Sequence, residues 1–184
     1  MGRFDRRRWR QGLALALLFF GCAGSARAEA TFPPMRPGLW ETSTVMLMNM
    51  SGQPPDNDTS PTVRYNCQSA ASMAQSMKVM SAGLPGCTMD LEGGGGQYTM
   101  TINCVNPGGQ PGTMHSTGTM AMRGDTAIHM TEAGSGNIGG MQMSSTMTAD
   151  SKWVGACPSG VVPGDYGTMA NGVFTKEGNT LTPP

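Results

Sequence analysis

Thioether sulfur is the side-chain chemistry this chain carries in greatest supply. Eighteen of its 184 residues are methionine, and several recur at alternate positions: Met46, Met48 and Met50; Met120 and Met122; Met141 and Met143. Alternate residues of an extended strand point to the same side, so each group would align its sulfurs on one strand face. Thioethers are soft ligands suited to Cu(I), and Met46, Met48 and Met50 form the densest set. Copper is therefore the alternative to having no cofactor at all. Packing is the competing role, because flexible methionines fill irregular interiors and each Met-x-Met pair falls where an inward-facing residue belongs. A soft, repackable lining has a third use, which is to hold an apolar ligand or an envelope protein partner.

Acid–base and nucleophilic chemistry find no comparable set. The two histidines, His115 and His129, fall on the strand faces opposite the methionines. Serines are too numerous to single out a triad, and no Gly-x-Ser-x-Gly elbow is present. The run Gly93 to Gly96 lacks the Lys-Ser/Thr and the helix of a phosphate loop, and reads as a hairpin turn. No catalytic residue is assigned, and a non-enzymatic protein is expected.

Cysteine usage speaks of compartment. Residues 1–28 have the form of an export signal: Arg3, Arg6, Arg7, Arg8 and Arg10, then the apolar run Leu13 to Phe20, then Ala26-Arg27-Ala28 as a small-x-small cleavage pattern. The apolar run is too short to span a bilayer. A periplasmic or secreted protein is expected, with two variants open: a lipid anchor on Cys22 and a twin-arginine route. Beyond the signal, Cys67, Cys87, Cys104 and Cys157 remain, and an even count in an exported chain implies disulfides. Folding 87–104 about its middle sets Cys87 opposite Cys104, Met89 opposite Ile102 and Leu91 opposite Met100. That register favours Cys87–Cys104 and leaves Cys67–Cys157. Loop entropy gives about 3 kcal/mol for the hairpin bridge. No Cys-x-x-Cys or Cys/His spacing suggests a zinc site.

Removing the signal lowers lysines and arginines from 12 to 6 and acids from 12 to 11, for a net charge of −5. A nucleic-acid role needs a basic stripe, and none remains. No later apolar run approaches membrane length.

Residues 29–184 then read as one β-rich domain. Gly38 to Met50 is a strand, with Trp40, Thr42, Thr44, Met46, Met48 and Met50 on one face. A Pro-rich loop leads to a short strand at 62–67. Gln68 to Met80 has helical spacing of Ala70, Met73, Ala74, Met77 and Met80. The hairpin at 87–104 follows, then strands at 113–123, 126–132 and 142–150, with 153–157 extending the last. Residues 133–140 look like a Gly-rich loop, and the turn-rich tail from about 158 adds one strand near 172–176. The expected fold is mainly β: an antiparallel meander of six to eight strands forming a curved sheet or partial barrel that holds one short helix, with a β-sandwich as the alternative.

Arg36-Pro37-Gly38-Leu39-Trp40-Glu41 resembles the R/K-P-G-L-W-E opening of a family of small exported Gram-negative proteins, the domain of unknown function 3617 family. The likeness continues through Val63-Arg64-Tyr65-Asn66-Cys67, the cysteine-bearing strand pair and the closing cysteine after Trp153, so that it covers roughly residues 36–157. It implies a periplasmic or envelope location and a mostly β fold. It implies no activity.

Overall fold

The computed structural model describes residues 33–55, 57–73, 75–76 and 85–182. Their strands are β1 (Gly38–Met50), β2 (Thr62–Gln68), β3 (Cys87–Gly94), β4 (Gln97–Val105), β5 (Gly112–Arg123), β6 (Ala127–Ile138), β7 (Met141–Gly155), β8 (Asp165–Ala170) and β9 (Val173–Asn179). All nine join one sheet in the order β3-β4-β5-β6-β7-β1-β2-β8-β9, and every ladder is antiparallel. Strands β3 and β9 stand at open edges, so the sheet does not close into a barrel. The expected curved antiparallel sheet with a lone helix is what the chain forms. The signal segment, Cys22 and the last part of the expected helix lie outside the described residues.

The hairpin pairs as the apolar pattern requires. Cys87 faces Cys104, Met89 faces Ile102 and Leu91 faces Met100, and Gly94 pairs with Gln97 across Gly95-Gly96. Both turn glycines have left-handed backbone (φ 62° and 87°), the conformation a two-residue hairpin turn demands. Both disulfides, Cys87–Cys104 and Cys67–Cys157, are formed. In the β5–β6 hairpin Met122 faces Ile128, and Met120 faces Met130. Their apolar partners therefore lie on one continuous face.

Two stretches differ from expectation. Residues 133–138 are not a loop but the continuation of β6. Their glycines answer to a neighbouring backbone: a Cβ on Gly136 would lie 2.4 Å from the Thr113 carbonyl, and one on Gly118 of β5 would lie 2.5 Å from the Thr131 carbonyl. Glycine inside a strand marks such a close approach or a bend, and these bends curve the sheet. The tail carries two strands rather than one. They turn at Asn171-Gly172, both with positive φ (50° and 78°), and β8 then pairs with β2.

Residues 36–41 form a clamp at one end of the sheet. The Arg36 guanidinium donates to both carboxylate oxygens of Asp125 in the β5–β6 turn, at 3.0 and 3.2 Å. It also stands 5.0 Å from the centre of the Trp153 ring. Trp40 Nε1 donates to the Arg36 carbonyl at 2.9 Å, and Trp153 Nε1 donates to the Pro37 carbonyl at 3.0 Å. Gly38 has φ 135°, and a Cβ there would meet the Gly155 carbonyl at 2.3 Å. Leu39 and Trp40 are buried. Glu41 receives Lys152 Nζ at 2.7 Å and the Tyr65 hydroxyl at 2.9 Å. The Lys152 bond, reinforced by Tyr65 and opposed by partial burial, holds the Glu41 carboxyl below its usual range.

Asp165 anchors the C-terminal hairpin. It is buried and accepts from Lys176 Nζ at 2.6 Å, Asn179 Nδ2 at 2.7 Å and the Val162 N–H at 3.0 Å. Burial works against its charge, but Lys176, Asn179 and Val162 together outweigh that and hold its pKa down. Arg64 of β2 also pairs with Glu177 of β9.

Replacing Trp40 by Ala is expected to cost about 3–5 kcal/mol, as for other buried tryptophans. Arg36→Ala removes a half-exposed pair and should cost about 1 kcal/mol or less; urea melts of the two variants give the comparison. For Asp165 the native pKa is depressed, so its stabilisation is complete above the unfolded value of about 3.9 and fades as pH falls through the native value. Asp165→Asn should lower stability at pH 7 by about 1–2 kcal/mol and flatten the acid limb of the wild-type stability curve.

Candidate functional site

Strands β2 and β3 are neighbours in sequence but not in the sheet. Strand β2 lies seventh and β3 at the first edge, and a connection of residues 69–86 joins them. That connection begins with a short helix, α1, whose described residues are 70–73 and 75–76. Ser69 caps it: Ser72 N–H donates to Ser69 Oγ at 3.1 Å, and Ser69 N–H donates to Ser72 Oγ at 2.8 Å. This reciprocal pair satisfies two N–H groups that the first turn leaves without partners.

Between α1 and the sheet lies a cavity of about 320 Å³. Its walls come from both halves of the sheet. Met89, Leu91 and Met100 belong to the β3–β4 hairpin, and Met120, Met122, Ile128 and Met130 to the β5–β6 hairpin. Met147 and Ala149 of β7 and Thr42 and Thr44 of β1 complete the floor, with Met35 and the α1 residues Met73 and Ser76 at the cover. Eight methionines line the space, and among the described residues none of the lining side chains is charged. The cavity exists where long side chains on β3–β6 face short ones on β1 and β7. Thr42 meets Ser151 there through a 2.8 Å hydroxyl contact, and Thr44 stands opposite Ala149.

The structure sorts the sulfurs into two groups. Met120 and Met122 line the cavity. Met46, Met48 and Met50 lie further along β1, where they are 51%, 37% and 39% exposed, and they do not line it. Sequence reading missed Met35, which sits in a Pro-rich lead-in without periodic neighbours. It also passed over Ala149, which continues the alternation of Met143, Ser145 and Met147 and was legible on that ground.

The opposite face of the sheet is polar. His115 Nδ1 lies 2.8 Å from Asn103 Oδ1, and His129 Nδ1 lies 2.8 Å from Asp150 Oδ1. Thr119 meets Thr131 at 2.9 Å. A shallow crevice of about 250 Å³ there is bordered by Glu41, Ser43, Arg123, His129, Asp150 and Lys152. Asp150 sits between Ser43 and His129 in the strand order, so the serine is not next to the histidine that would have to take its proton. No group of three or more His, Cys, Asp or Glu residues suited to a metal occurs among the described residues. No helix among them is long and apolar enough to cross a membrane.

The four described cysteines hold this architecture rather than line the cavity. Cys87–Cys104 locks edge strand β3 to β4, and Cys67–Cys157 ties β2 to the segment that follows β7. No curated protein and no solved structure matches the chain. One family model does, described as protein of unknown function (DUF3617), over residues 35–157. That span opens at the cavity residue Met35, takes in the clamp at residues 36–41 and ends on the second cysteine of the longer disulfide, and on this match the chain belongs to the DUF3617 family of proteins of unknown function.

Proposed function

We propose that this protein is a non-enzymatic carrier, exported to an oxidising compartment, that holds an uncharged apolar guest between its methionine face and α1. The observation that carries this reading is the cavity itself. A methionine face used only as filling would leave a solid interior at native packing density. Here about 320 Å³ remains open, which is the low end of the usual range for small-molecule sites. At about 30 Å³ per water-sized group the space admits roughly ten such groups. That suits a short acyl or isoprenoid-like chain or a compact apolar ring system.

The lining supports the choice of guest. A carboxylate or phosphate buried there would meet no cation among the described lining residues and would bear the full desolvation cost. Any charged head group therefore belongs outside the walls. Methionines supply contact area without a rigid shape, so the site suits a class of apolar compounds more than one compound. The two disulfides favour an extracellular or periplasmic setting, in keeping with the export-type residues at the start of the sequence.

N-phenyl-1-naphthylamine, an apolar dye that brightens when desolvated, should bind the purified protein with about one equivalent. Ala149→Phe fills the floor of the cavity and should weaken dye binding about tenfold or more at a stability cost of about 1–3 kcal/mol. Thr44→Phe fills the adjoining position and should do the same. Undiminished binding by both folded variants, judged by near-UV circular dichroism, would contradict the reading.

A further inference from the structure

The methionines beyond the cavity, together with Met147 at its border, have an arrangement of their own. Met46 stands directly opposite Met147, and Met50 directly opposite Met143, with Met48 between them opposite Ser145. The alternation of strand side chains puts all five thioethers on one face of the β1–β7 pair. Directly opposed Cβ atoms lie about 4.5–5.5 Å apart and diagonal ones about 7–8 Å, within reach of long side chains. Core filling does not account for this group, because Met46, Met48 and Met50 are 51%, 37% and 39% exposed.

A second observation concerns charge. On β6 the residue opposite Met147 is Glu132. It sits on the same face, with Gly118 and Met147 as its cross-strand neighbours, and makes no ion pair among the described residues. A carboxylate beside a set of neutral thioethers is out of place for packing. It is well placed to offset the charge of a bound monovalent cation, since thioether ligands leave that charge uncompensated.

We infer that Met46, Met48 and Met147, an opposed pair and its diagonal neighbour, with Glu132 alongside and the Met50/Met143 pair flanking them about 13 Å along the strands, form a site for a soft monovalent cation, Cu(I). Thioether sulfur selects soft ions over zinc, magnesium or calcium. The cysteines of the sheet are held in disulfides and offer no thiolate. His115 and His129 lie on the opposite face, so borderline ions find no ligand set here. The site is separate from the cavity except for Met147, which borders both.

The test is competition for Cu(I) against the chromophoric chelator bicinchoninate, with ascorbate as reductant so that the disulfides stay intact. The wild-type protein should withdraw one equivalent from a competitor poised at micromolar affinity. The quadruple variant Met46→Leu/Met50→Leu/Met143→Leu/Met147→Leu keeps apolar volume and should bind more than about a hundredfold less tightly, exceeding the loss typical of an outer partner. Glu132→Gln should lose about tenfold, and Met120→Leu/Met122→Leu, which alters only the cavity, should lose nothing. If the quadruple variant fails to fold, Ag(I) titration of wild-type protein carrying ¹³C-methyl methionine reads the same point. Shifts should be confined to Met46, Met48, Met50, Met143 and Met147. Failure of the wild type to withdraw Cu(I), full retention by a folded quadruple variant, or Ag(I) shifts spread over Met89, Met100, Met120, Met122 and Met130 would each overturn the inference.

Discussion

A single open sheet with one apolar face has to cover that face. Sandwiches do so with a second sheet and barrels by closing on themselves. Here β3 and β9 remain at opposite edges, and the described part of α1 contributes Met73 and Ser76 to the cavity over the methionine face. The cavity lies where long side chains of β3–β6 and the described part of α1 meet the shorter Thr42, Thr44 and Ala149. The glycines of β5 and β6, which bring neighbouring backbones together, provide the curvature on which the arrangement depends.

The residues of the clamp at 36–41 serve this architecture. Arg36, Gly38, Trp40 and Glu41 reach across to the β5–β6 turn, to β7 and to β2, and place β1 in the middle of the sheet. The disulfides act at the same level, one fixing the first edge and the other fixing the passage from β7 toward β8. A motif whose every member is accounted for by packing and backbone geometry points away from itself as a site of chemistry. What the clamp organises is the methionine face beside it, on which Thr42 and Thr44 of the same strand form part of the cavity floor.

Local pattern and long-range placement were unequally legible. The alternation of residues 87–104, with cysteines at both ends and glycines in the middle, determined a register that the structure reproduces pair by pair. The same logic paired Met120 with Met130 and Met122 with Ile128. The insertion of β1 between β7 and β2 was not readable, because strand order depends on contacts far apart in sequence. Glycines misled at 133–138, where they serve close backbone approach and not a loop. Asn171-Gly172 was a hairpin signal overlooked within a turn-rich tail. Periodicity also assigned Met46, Met48 and Met50 to the correct face without revealing that they stand exposed on it. Exposure is set by what lies above a face, and alternation along a strand carries no information on that.

The central claim is that an apolar guest occupies the space between α1 and the methionine face. The most direct measurement is a set of nuclear Overhauser contacts between the protons of bound N-phenyl-1-naphthylamine and ¹³C-labelled methionine methyls, assigned by single Met→Leu substitutions. The account requires contacts to Met100, Met120, Met122 and Met130, which face the cavity. Contacts confined to the exposed Met46, Met48 and Met50, with none to the cavity methyls, would contradict it.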